Sequence, residues 1–223
     1  MSKTKRKKLC LAGLLIGVMF LLSGCTAFDA CTYTQAVLDV SYKNQTEDYM
    51  EITGASQEEA DEIFQRNLDT TMQDFKSMEL SGELEENYRK LFEEIIKQVN
   101  YTVGEAVKEE NGDFTVDVEI KPVLLFDDTY EEFQKKSEEY AASITSDVME
   151  GAEMPSDEEI QAKVYQIYYE VLQAGLEAGP HFGEAEKVTV HIQKTEDGVY
   201  EIPSEDLKTL DASMISQEKL ADL

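Results

Sequence analysis

Two histidines, His181 and His191, are the residues best suited to general-base chemistry in this chain. His191 alternates with Val190 and Ile192, which turns it to the wet face of a strand as a solvated residue. His181 follows Gly179-Pro180 in a loop, and neither ring has a Cys, Asp or Glu at the spacing by which a helix presents ligands to zinc. The chain carries no Gly-rich phosphate loop and no Gly-x-Ser-x-Gly elbow. Asn111-Gly112-Asp113 lacks the ligand ladder of a calcium loop and reads as a turn. The acidic runs Glu83-Glu85-Glu86, Glu131-Glu132 and Asp157-Glu158-Glu159 are expected at helix starts, where they complement the macrodipole. No catalytic residue, cofactor or metal ligand is assigned on these patterns, and the chain is expected not to be an enzyme.

The cysteines carry more information. Of Cys10, Cys25 and Cys31, the second follows Leu22-Ser23-Gly24 at the end of a distinctive leader. Met1–Lys8 is strongly basic, and Leu9–Leu22 is a run of 14 uncharged residues. That run suits the apolar part of a secretory signal and is shorter than the ~20 residues of a membrane-spanning helix. Small residues before the cut and a thiol at the first mature position complete the pattern.

Leu22-Ser23-Gly24-Cys25 closely resembles the lipobox of bacterial prolipoproteins. The resemblance covers residues 1–25. It implies cleavage after Gly24, a diacylglycerol thioether on the Cys25 sulfur, and attachment to the outer face of the cell membrane. Acyl burial contributes about 0.8 kcal/mol per CH2, so two or three chains hold firmly where one does not. Residues 1–24 are then the signal and 25–32 a short lipidated tether, which at eight residues spans at most ~25 Å. With Cys25 acylated, Cys31 has no intramolecular partner and reads as a small residue at a helix start.

Charge narrows the partners. The chain has 20 Lys+Arg against 47 Asp+Glu, a net of −27, and removing the five leader bases (Lys3, Lys5, Arg6, Lys7, Lys8) leaves −32 on residues 25–223. Such a surface repels nucleic acid and anionic headgroups, so the membrane contact is expected through the lipid alone.

The elements follow from periodicity. Tyr33, Ala36, Val37 and Val40 mark a short helix. Capping boxes at Ser56/Glu59 and Ser156/Glu159 open two longer ones. Leu84 to Val99 and Tyr130 to Val148 carry the same 3.6-residue spacing, the latter expected to be capped by Asp127 or Asp128. Between them the period changes to two. Tyr101, Val103, Glu105 and Val107 lead to Asn111-Gly112, and Phe114, Val116, Val118 and Ile120 return. A second hairpin runs from Val188, Val190 and Ile192 through Asp197-Gly198 to Tyr200 and Ile202, before a weak helical tail at Leu207, Leu210 and Met214. Tyr140, Tyr165 and Tyr168 read as core, while Tyr169 falls off the apolar face and is a candidate groove residue.

The predicted architecture is one α+β domain over 33–223, with about five helices on one face of a four-stranded antiparallel sheet built from two hairpins. This order is also similar to small exported, cystatin-like lipoproteins of Gram-positive bacteria. That resemblance rests on the lipobox, the short tether, and a strand turn followed by an aromatic, Asp197-Gly198-Val199-Tyr200. It implies a fold and a location. The expected role is a non-enzymatic binding module for a protein, peptide or cell-surface polymer. The alternatives are a low-affinity cation-binding or sensor protein and, less favoured, a carboxylate-dependent hydrolase.

Overall fold

The computed structural model describes residues 28–219 except 77–79, 81 and 197, and only the backbone of 73–76. Residues 1–27, including the leader and Cys25, lie outside the described residues. The elements are α1 (Ala30–Leu38), a π-helical turn (Asp39–Lys43), α2 (Glu47–Thr53), α3 (Gln57–Lys76), α4 (Gly82–Ile96), β1 (Asn100–Lys108), β2 (Phe114–Lys121), α5 (Leu125–Met149), α6 (Asp157–Ala178), β3 (Glu186–Lys194), β4 (Tyr200–Glu201) and α7 (Ser204–Met214).

The two hairpins join into one antiparallel sheet of order β1-β2-β3-β4. Val116, Val118 and Ile120 of β2 are buried beside Val188, Val190 and Ile192 of β3, while Lys187, Thr189 and His191 face water. This is the one-sided pattern that alternation dictates. In β1 the alternation breaks. Val103 pairs with Val118 but Ala106 pairs with Val116, so a bulge intervenes. The bulge turns Glu105 and Val107 outward, and Val107 is exposed. Gly104 sits in it because a Cβ there would lie 2.8 Å from the Asp117 carbonyl oxygen. The freed Gly104 carbonyl accepts the Cys31 thiol at 3.1 Å. The Asn111-Gly112 connection is also longer than a two-residue turn: Glu109 N–H donates to the Asp113 carbonyl, and Asn111 and Asp113 hydrogen-bond each other inside the loop.

Both capping boxes form. Ser56 and Glu59 exchange backbone-to-side-chain bonds of 2.8 and 3.3 Å, and Ser156 and Glu159 bonds of 2.8 and 3.2 Å. Seven α-helices are present among the described residues, against about five expected. The additions are α2, which buries little beyond Tyr49, and the tail helix α7. They do not all cover the sheet. Helices α1 and α7 pack on it, α3 packs on the π-turn and α4, and α4, α5 and α6 pack on one another. An amphipathic face shows that a helix buries one side but not against what.

Helix α5 begins earlier than expected, at Leu125, so Asp127 and Asp128 occupy its first turn and do not cap it, and Glu131-Glu132 fall past that turn. Pro122–Leu124 instead forms a link with isolated bridges at Val123. Val123 pairs with both Phe182 and Ile215, and the buried Asp127 carboxylate accepts the Ser216 hydroxyl and, at 2.9 Å, the Lys219 backbone N–H. Among the described residues one apolar cluster runs from Ala30 to Met214, and Ile144, Ile167 and Val171 are buried outside it in α5 and α6.

Candidate functional site

Phe28, the first described residue, is already part of the fold. Its ring lies in an aromatic cluster with Tyr33, Phe114 and Tyr200, at centroid distances of 5.5, 5.6 and 3.8 Å. Asp29 follows as the N-cap of α1, its carboxylate accepting the backbone N–H groups of Cys31 and Thr32 at 3.0 and 3.1 Å. Those N–H groups, Thr32 first, hold its carboxyl below the usual carboxylate range. Helix α1 therefore starts at Ala30, ahead of Tyr33, five residues after Cys25 in the sequence.

The π-turn after α1 places a second group of polar side chains in the interior. Tyr42 donates to the Asp211 carboxylate of α7, whose other oxygen is buried without a hydrogen-bond partner among the described residues. Burial pushes the Asp211 carboxyl up to about 7, opposed by the Tyr42 bond. Beside it, Tyr101 donates to Asp39 at 2.6 Å, Gln35 holds the other Asp39 oxygen at 2.8 Å, and the Lys43 ammonium stands 4.3 Å over the Tyr101 ring. Desolvation raises the hydroxyls of Tyr42 and Tyr101, so both remain protonated donors.

The histidines do not meet. His181 Nδ1 lies 3.0 Å from Asp128, with the ring largely exposed. His191, on the wet sheet face as its alternation predicts, lies 2.9 Å from Asp206, which also accepts the His191 backbone N–H at 2.6 Å. Each is an imidazole–carboxylate pair, and among the described residues no hydroxyl or thiol hydrogen-bonds to either ring. No group of three His, Cys, Asp or Glu among the described residues is arranged to hold a metal.

The tyrosines close a helical interface. Tyr88 of α4 donates to the Tyr165 carbonyl at 2.7 Å and meets the Tyr169 ring edge-on at 5.5 Å, while Tyr168 packs on Phe133 at 4.8 Å. Tyr169, a candidate groove residue by sequence, is thus a packing residue between α4 and α6. A shallow open groove of about 310 Å³ lies instead between α3 and α4, lined by Asp69, Met72, Gly82, Glu85, Glu86 and Arg89. Arg89 bridges it at 2.5 Å to Asp69 and 2.8 Å to Gln65.

No described helix is long and apolar enough to cross a membrane. No family model matches the chain, and no curated protein matches it. Among solved structures it is similar to a Bacillus subtilis protein described as a "putative lipoprotein (ycdA)", with a TM-score of 0.56 and 18% identity over 85% of this chain. The match spans 56% of that longer chain, so the two share a fold over about half of its length.

Proposed function

We propose that this chain is a lipid-anchored lipoprotein of the outer face of the cell membrane, displaying a non-enzymatic interaction domain. The observation that carries the reading is the position of Phe28. A residue three places after Cys25 is clasped by Tyr200, Tyr33 and Phe114, so a lipid on Cys25 would hold the folded body within about 10 Å of its attachment point. The likeness to the Bacillus subtilis lipoprotein structure supports the same assignment. A sheet crossed by α1 and α7 is in keeping with the cystatin-like arrangement the sequence resembles.

The interaction role is supported by what the candidate groups are engaged in. Asp39, Asp127 and Asp211 each bind structural partners: Tyr101 and Gln35, the C-terminal segment, and Tyr42. The test is metabolic labelling of cells with an alkynyl fatty acid. The wild-type chain is expected to be labelled and to sediment with membranes, and Cys25→Ser to be unlabelled. Equal labelling of both, or of neither, overturns the proposal.

A further inference from the structure

Helices α5 and α6 form a long antiparallel hairpin that joins the rest of the molecule near its base. Gly175 approaches Thr129 and Leu125, Phe92 packs on Phe126, and Tyr88 reaches Tyr165 and Tyr169. Beyond that level the outer portion buries Ile144 and little else. At 25 residues, α5 is about 37 Å long, so its last turns extend past the N-terminus of α4.

The tip is unusual in two independent respects. Met149 and Met154 are 83% and 64% exposed and Val148 is exposed beside them, on either side of the turn at Gly151. Flanking them in the sequence, residues 137–162 contain eight Asp and Glu and no Lys, Arg or His. Flexible, polarisable methionines suit a surface that adapts to apolar side chains. Carboxylates without intervening cations select cations and repel a second copy of themselves. The base of the hairpin lies at the opposite end of β2 from Phe28. Phe28 packs at the Phe114 end of the sheet, and α5 leaves from the Lys121 end and packs on α6 instead of the sheet.

We infer that this hairpin tip docks a cationic polypeptide segment carrying apolar side chains, with Met149 and Met154 as the apolar contacts and the surrounding carboxylates, Glu150 and Glu153 nearest in sequence, as the charge-selecting rim. The inference rests on the reading of the chain as an interaction domain and names the surface and partner class that reading lacks.

The chain has no tryptophan, so a synthetic amphipathic Lys/Leu peptide with one Trp reports its own environment without interference. The described core cluster begins at Ala30 with Phe28 packed against it, and residues 26–223 serve as the lipid-free protein. Saturable binding with a blue-shifted emission is expected. It should weaken about tenfold or more for Met149→Ser combined with Met154→Ser, for a Lys/Ser peptide of equal charge, and in high salt. Both methionines are exposed, so the melting temperature of the double variant should be unchanged. Equal binding by the double variant, equal binding of a Glu/Leu peptide, or peptide-free self-association through the tip would overturn the inference. A photo-crosslink mapped to the Asp69–Arg89 groove would overturn the tip while leaving the interaction domain standing. Absence of lipid on Cys25 would bear on the anchor alone.

Discussion

The Phe28 ring lies flat on Tyr200, with centroids 3.8 Å apart and planes 9° from parallel. One residue precedes α1, the other comes from β4 near the end of the chain. Their contact ties the root of the chain to the last strand of the sheet, and Tyr33 reinforces it by reaching the Tyr200 carbonyl at 3.4 Å.

This contact predicts a measurable role for Phe28. It is half-buried, so Phe28→Ala should destabilise residues 26–223 by about 2 kcal/mol, less than for a fully buried ring. Urea unfolding checks the value, and hydrogen exchange should show β4 losing protection first. An unchanged midpoint would mean that the cluster adds nothing to stability and that the root is not fastened there.

The Tyr42–Asp211 pair predicts a pH dependence. Burial raises the Asp211 carboxyl to about 7 in the fold, above its value in the unfolded chain. The folded state then binds the extra proton between about pH 4 and 7, so this contribution is fully present in acid and is lost as pH rises through 7. Asp211→Asn keeps an acceptor for Tyr42 without the charge. It should raise the melting temperature at pH 8, change little at pH 4, and flatten the profile between. A variant that melts lower than wild type at pH 8 would contradict the assignment.

Gly104 predicts a steric requirement. Any side chain there meets the Asp117 carbonyl at 2.8 Å, which is backbone and yields little. Gly104→Val should cost about 1–3 kcal/mol and loosen the β1–β2 pairing, read by denaturant unfolding and by exchange of the β1 amides. Wild-type stability in this variant would show that the bulge can shift without cost.

Gly175 predicts a coupling between α5 and α6. A Cβ at this position would lie 2.6 Å from Thr129 Cγ2 and 2.8 Å from Leu125 Cδ1. Gly175→Ala should therefore destabilise by about 1 kcal/mol or more even though alanine favours helix by a similar amount. Thr129→Ser removes the nearest methyl and keeps the hydroxyl that donates to the Leu125 carbonyl at 2.7 Å. In that background the alanine should cost markedly less, giving a favourable coupling in a double-mutant cycle. Strict additivity would contradict the close approach.

The features legible in the sequence are those written in short-range spacing. The two capping boxes and the alternation in β2 and β3 follow from residues a few positions apart, and the joining of the hairpins follows from neither being stable alone. The bulge in β1 was not legible, because its cause is the Asp117 carbonyl on the neighbouring strand. Helix α2 escaped notice because it buries one large residue, Tyr49, and so carries no apolar stripe. The Tyr42–Asp211 bond joins residues 169 apart, and the Phe28 clasp depends on β4 folding back beside α1. Neither leaves a local pattern. For the same reason Tyr169 read as a groove residue: its partner Tyr88 lies on a different helix.

Intact-mass analysis of the native protein addresses the chemistry of Cys25 most directly. A polypeptide beginning at Cys25 with a thioether-linked diacylglycerol on its sulfur is the predicted result. A free thiol at Cys25 with residues 1–24 still attached would contradict it.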